Sequence, residues 1–302
     1  MLIIGAGQRT SRNQVGTASA PGTCGELVQG FTSSGQPFHV TCPIEKTSTV
    51  SVTLKPAQEF SVHQMSGQLD KLELGLLRTA EYLDLEPCEM RVARWTDLEI
   101  GKGMGSSTAD IVAGARALGA AVNRKLSASR LAAIATSVES SDGSMYPGIV
   151  AFDQKNGALL RHYVWWPQFL IVIVIPPKVF NTESADFAGK LRFGQEFDEI
   201  LDCLDKASQS RSAHGFAEAA THSAALNQDF VPSAHHALLE DRLNQLGALG
   251  IAVGHTGTIV GLLFDATDKD SRRAAAAASI EVQGMFPDAR VEMTLTPRSP
   301  DD

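Results

Sequence analysis

Leu98-Glu99-Ile100-Gly101-Lys102-Gly103-Met104-Gly105-Ser106-Ser107-Thr108-Ala109-Asp110 is the stretch whose reading decides the fold. Glycines at 101, 103 and 105 let the backbone take positive φ and approach a ligand closely. Ser106, Ser107 and Thr108 are good residues to open a helix. Ile111, Val112, Ala115 and Leu118 then recur at helical spacing, so the loop leads into a helix with one apolar face. Unpaired amides at the positive end of a helix favour an anion, and a phosphate-rich ligand is the expected guest. The three hydroxyls suit phosphate oxygens or a magnesium ion. A glycine-rich turn also precedes many helices that bind nothing.

Two familiar phosphate loops do not fit. Lys102 lies among the glycines and not after them, so the Gly-Lys-Ser/Thr ending of the nucleoside triphosphate loop is missing. The dinucleotide fingerprint needs its third glycine one place later and an acid about twenty residues on, where Arg124-Lys125 stands. Gly5-Ala6-Gly7 follows only four residues and runs into a polar segment, and residues 1–17 are expected to form an irregular tail.

Bulk properties narrow the partners. A chain of 302 residues with 43% apolar and 20% charged side chains can bury a large core, as two domains or one large one. A net charge of −8 without any Lys/Arg cluster argues against nucleic acid and against an anionic membrane. Cys24, Cys42, Cys88 and Cys203 are widely and irregularly spaced, which indicates neither zinc nor a disulfide framework. The apolar run Phe169 to Ile175 ends at Pro176-Pro177 and reads as a buried strand, too short to span a membrane. No secretory leader is evident, so a reducing cytoplasm is expected.

Periodicity places strands at 47–54, 90–100, 148–152, 158–164, 169–175 and 289–296, with two short ones around the Gly/Thr-rich turn of 250–265. Helices are expected at 69–83, 127–138, 195–209, 212–227, 233–247 and 270–284. Residues 154–157 turn a hairpin, and Trp165-Trp166-Pro167 marks a domain boundary. The fold class is α+β with its elements unevenly grouped.

Three glycine-rich segments stand in order: Ala20-Pro21-Gly22-Thr23-Cys24-Gly25-Glu26-Leu27-Val28-Gln29-Gly30, then 101–110, then 254–261. Together they resemble the GHMP kinase superfamily, the galactokinase, homoserine kinase and mevalonate kinase group. The middle segment resembles its Gly-Leu-Gly-Ser-Ser-Ala-Ala loop with Met104 and Thr108 substituted, and the usual leading proline absent. The last has threonines where the family has serines. Within the superfamily, the chain is most similar to the L-threonine kinases of cobalamin biosynthesis, through Cys-Gly-Glu-Leu-x-Gln-Gly, Cys42-Pro43, the Lys-Gly-Met loop and a Glu-x-x-Asp turn. Here Gly143 follows the turn where the relatives have serine.

The resemblance implies a ribosomal-protein-S5-like N-terminal domain over 18–166 and a ferredoxin-like C-terminal domain over 167–302, with ATP and acceptor between them. It implies that Gly101, Gly103, Met104, Gly105, Ser106, Ser107 and Thr108 hold ATP, with Lys102 adding a cation near the transferred group. Ser107 and Glu139 would hold Mg2+, and Asp142 would orient the acceptor hydroxyl and take its proton. Glu26 would hold the ammonium group of L-threonine or a similar amino alcohol, beside Cys24 and Gly25, while Thr256 and Gly257 close the site.

Other readings remain open at this point. Glu139 and Asp142 also suit a solvated helix end, Glu26 a turn whose amides it satisfies, and His255 a structural place. A kinase for homoserine, or a ligand-binding protein on the same scaffold, would share these motifs. A homodimer is among the assemblies left open.

Overall fold

The computed structural model describes residues 14–65, 70–177, 188–230, 232–254 and 259–300. Its frame is a long antiparallel hairpin of β1 (Gln14–Phe31) and β2 (Pro37–Pro56). In the outer half, residues alternate between a wet face and a buried one. Thr17 bonds Ser51 at 3.0 Å and Ser19 bonds Thr49 at 2.7 Å on the wet face, while Ala20, Val50, Val52 and Leu54 are buried. Strand β1 begins inside the expected tail, because Gln14 to Thr17 pair with Leu54 to Ser51. Sheet pairing outweighs a polar local sequence there.

Residues 22–30, within the first glycine-rich segment, continue the same strand and are all buried. Its register shifts on both sides of Thr23 and of Glu26 absorb the irregularity as bulges.

Strand β3 (Ser61–Gln64) lies parallel to β4 (Cys88–Thr96), which pairs with β2. Helices α1 (Asp70–Tyr82), α2 (Ser106–Ala121) and α3 (Ala128–Val138) belong to the same half. The oxygen of Ser127 caps α3 by accepting from the Arg130 amide at 3.3 Å. Strands β5 (Val150–Phe152) and β6 (Leu159–His162) form the expected hairpin. Asp153 Oδ1 turns it by accepting from the amides of Lys155 and Asn156, both at 2.9 Å.

The second half comprises β7 (Phe169–Ile175), α4 (Gly194–Ser210), α5 (Ala213–Gln228), α6 (Ala234–Glu240), α7 (Leu243–Leu246), β8 (Gly250–Val253), β9 (Val260–Asp265), α8 (Lys269–Met285) and β10 (Arg290–Leu295). The helix expected over 233–247 is two, broken at Asp241-Arg242, and Leu239 and Leu246 both enter the core under α8.

All these strands form one sheet in the order β10-β7-β9-β8-β1-β2-β4-β3, with β5 on β2 and β6 on β5. The halves join where β1 meets β8 at the pair Glu26–Val253. Strand β7 is apolar throughout because both its faces are covered. Ile171, Ile173 and Ile175 face the larger core, and Val172 and Val174 the smaller one. Trp165 packs edge-on against Phe216 at 6.2 Å, and the Trp166 ring N–H donates to the Pro297 carbonyl at 3.1 Å. The larger core therefore crosses the expected boundary after Trp166, with Phe197 and Phe216 in one cluster with Phe38.

Candidate functional site

The chain leaves β4 and tucks Leu98 beneath Gly22, where a Cβ would lie 2.3 Å from the leucine. Gly101, Gly103 and Gly105 then take φ of 71°, 81° and 63°. Gly105 immediately precedes α2, whose first turn takes no side-chain cap at that residue. Its early amides are therefore available to a ligand, at the positive end of a 16-residue helix. The loop is held from below. The Thr23 amide donates to the Met104 carbonyl at 2.9 Å, and the Met104 side chain is buried. Asp110 accepts from Arg94 Nε at 2.7 Å and from the Ser48 hydroxyl, which ties α2 to β4 and β2.

Lys102 is buried, and its ammonium donates to the carbonyls of Pro176 and Pro177 at 2.7 and 2.6 Å. These contacts fasten the loop to the end of β7. Ser107 is half-buried on the first turn of α2.

Helix α3 ends at Glu139, which is extended, with φ −159°. Its Oε2 accepts from Lys71 at 2.5 Å. The turn that follows is fixed by three amides. Ser141 donates to the Gln154 carbonyl at 3.0 Å, Gly143 to Thr41 Oγ1 at 2.8 Å, and Ser144 to Asp142 Oδ1 at 3.0 Å. The Asp142 carboxyl is thereby laid on the glycine loop, so that a Cβ on Gly105 would stand 2.6 Å from its Oδ2. Asp142 is 7% exposed. Burial raises its pKa to about 6, against bonds from Ser144 and Thr108, and the nearby Glu139 charge adds to the rise.

Glu26 is 5% exposed, on the strand join itself. Burial and then the Asp142 charge push its pKa well up, while the Thr41 hydroxyl draws it down. His39 Nδ1 stands 3.7 Å from its Oε1, and its Oε2 has no hydrogen-bond partner among the described residues. A buried carboxylate oxygen left without a donor is costly unless a ligand supplies one.

Cys24 is a correction to the expected substrate side. It has no exposed surface, its sulfur fills the space over Gly261, and burial pushes its thiol pKa up to about 12. It is a core residue. Gly25 takes φ +60° and would place a Cβ 2.4 Å from the Val253 carbonyl, so it lets β1 pass close to β8. Thr256, Gly257 and His255 lie outside the described residues.

Thr41 and His39 are parts of the site that sequence reasoning missed. Their signal is a pair of polar residues two apart within the apolar run Phe38-His39-Val40-Thr41-Cys42, which puts both on one face of a buried strand.

A cavity of about 800 Å³ beside the entry to the loop is lined by Lys46, Glu99, Arg290 and Glu292 among others. Its charges pair with one another, Lys46 with Glu292 and Arg290 with Glu99 and Glu292.

The site thus opposes an anion-binding helix end to two buried carboxyls, with a third acid at the end of α3. Such an arrangement suits an anion that arrives with a cation and a neighbour that carries a proton to lose. Residues 74–150 match the family described as GHMP kinases N terminal domain. Over that segment the chain is similar to GHMP kinases.

Proteins similar to this chain include the L-threonine kinase of Citrobacter freundii, 27% identical over 259 residues that span 84% of this chain and 88% of that one. The L-threonine kinase of Salmonella typhimurium is 25% identical over 265 residues, 86% and 87% of the two chains. Among solved structures, the mevalonate kinase of Methanococcus jannaschii shares the fold with a TM-score of 0.72 at 16% identity, over 96% of this chain and 100% of that one. The homoserine kinase of Cytophaga hutchinsonii does so at 0.70 and 14%, over 97% and 98%.

Proposed function

We propose that this GHMP kinase transfers the γ-phosphoryl group of ATP to the side-chain hydroxyl of L-threonine, giving O-phospho-L-threonine and ADP. It is a phosphotransferase with an alcohol acceptor. The observation that carries the reading is the Asp142 carboxyl, buried against Gly105 at the start of α2 and close enough to Glu26 to raise its pKa. The similarity to L-threonine kinases supports the choice of acceptor.

Amides of the loop and of the first turn of α2 hold the triphosphate. Asp142 accepts a hydrogen bond from the acceptor hydroxyl and takes its proton as the new P–O bond forms and the bond to ADP breaks. Glu26, with one oxygen lacking a donor among the described residues, receives the acceptor's ammonium group.

Among the described residues, no three His, Cys, Asp or Glu side chains gather into a metal site. Magnesium brought by ATP needs few protein oxygens, and the Ser107 hydroxyl with the Lys71-steadied Glu139 carboxylate would supply them. The metal supplies charge neutralisation on the phosphates. Lys102 acts by fixing the loop.

ATP consumption measured over L-threonine, L-serine, L-homoserine, ethanolamine and mevalonate tests the proposal. Preferred turnover of L-threonine is expected. Preference for L-homoserine would reassign the acceptor, and no turnover of any would end the kinase reading.

A further inference from the structure

Glu26 and Asp142 sit on elements far apart in sequence, yet one side chain stands between them. Thr41 pairs in register with Glu26 across β1 and β2, so the two side chains project from the same face. Thr41 is 1% exposed. Its Oγ1 accepts from the amide of Gly143, the residue next to Asp142, at 2.8 Å. A hydroxyl has one proton to donate, and accepting from the amide leaves that proton for the carboxyl opposite.

Gly143 is shaped for this contact. A Cβ there would lie 3.3 Å from Thr41 Oγ1 and 2.7 Å from the Val150 side chain, so a larger residue would press the turn away from β2. The absence of a side chain lets the turn settle on the threonine.

We infer that Thr41 is a positioning residue that sets the distance between the acceptor's ammonium anchor, Glu26, and the acceptor's base, Asp142. The inference rests on the proposed amino-alcohol kinase reading. An amino alcohol offers its ammonium nitrogen and its hydroxyl oxygen at a separation fixed by three or four bonds. Both must meet their carboxyls together, because misplacement of either group loses alignment for transfer. The Thr41 hydroxyl, opposite Glu26 in the strand pair, also draws the Glu26 pKa down against the rise that burial causes, which favours the charged form that an ammonium needs.

The test compares the wild type with Thr41→Val, which keeps the shape and the β-branching, and with Thr41→Ser, which keeps the hydroxyl. Loss of one neutral and one charge-assisted hydrogen bond should lower kcat by about 10- to 100-fold in Thr41→Val and raise KM for L-threonine about 10-fold. The dissociation constant of ATP, read by calorimetry, should stay within about 2-fold, since the loop amides are untouched. Thr41→Ser should recover most of the loss, whereas a merely structural threonine would show no such split.

Hydrogen exchange at the Gly143 amide needs no acceptor. It should quicken in Thr41→Val and return toward the wild-type rate in Thr41→Ser. Unchanged exchange, or a valine variant with wild-type kcat and KM on an amino alcohol, overturns the inference. A wild type that ignores every amino alcohol but phosphorylates mevalonate instead sinks the acceptor reading, and the role of Thr41 in acceptor binding with it, even if the exchange result stands.

Discussion

Asp142 Oδ2 occupies the space beside Gly105 that any other residue would fill with its Cβ, at a distance of 2.6 Å. Gly105 is therefore required twice, by its φ of 63° and by the carboxyl it admits. The phosphate loop and the proposed base are built against one another, and neither position can be changed without moving the other.

Gly105→Ala should consequently fold and fail. The left-handed backbone costs about 1 kcal/mol for alanine, which lowers the melting temperature by a few degrees. The methyl displaces Asp142, and kcat is expected to fall by about 100-fold or more, the scale of loss from misplacing a reacting group. Activity and thermal melting measured on the same preparation check both halves.

Asp142→Asn should lower turnover by about 10²- to 10⁴-fold, the range of general-base contributions, while leaving ATP affinity nearly unchanged. The pH profile carries the same signature. With a pKa of about 6, Asp142 is protonated in acid, and kcat/KM should drop as pH falls below about 6 in the wild type. Stability runs the opposite way. A carboxyl whose pKa rises on folding from 3.8 to about 6 takes up a proton in that interval. Its contribution is thus greatest below 3.8 and is lost as pH rises through about 6. Removing the charge should therefore raise the melting temperature at neutral pH, and an unchanged melting temperature would count against the burial argument.

Glu26→Gln tests the ammonium anchor. The amide keeps the shape but loses the charge, so KM for L-threonine should rise by about 10- to 100-fold, as for a charge-assisted bond removed from a buried site. Binding of 3-hydroxybutyrate, which lacks the ammonium, should change little or improve. Equal loss on both compounds would place Glu26 outside the acceptor pocket.

Lys102→Met tests whether the lysine works by holding the loop. The buried Pro176 carbonyl and the carbonyl of the exposed Pro177 lose a charged donor, which costs about 1.5 to 3 kcal/mol. The melting temperature should fall and KM for ATP rise about 10-fold, while kcat at saturating ATP stays within about 3-fold. A collapse of kcat with unchanged KM would return Lys102 to the transferred phosphate.

Much of this was legible from residue order. The alternate glycines of 101–105 announced a loop opening a helix, helical spacing over 127–138 announced α3, and the apolar run of β7 announced a buried strand. Less legible was the long strand β1, whose glycines and Pro21 suggested turns. Its conformation comes from pairing with β2 and from bulges that no local pattern betrays. Cys24 shared a motif with Glu26 yet faces the core: two apart, they would share a face of a regular strand, and the register shift between Thr23 and Glu26 separates them.

Sequence by itself determined the elements whose causes lie within a few residues: the positive-φ loop, the helix that follows it, and the Glu-x-x-Asp turn at the end of α3. Steric freedom and helix ends act over that range. Tertiary structure alone decided that Glu26, Thr41, Gly105 and Asp142, drawn from two strands, a loop and a turn, would meet, and that Lys102 would spend its charge on two backbone carbonyls. Those contacts depend on the register of long-range strand pairing and on burial, which belong to the folded whole and not to any segment of it.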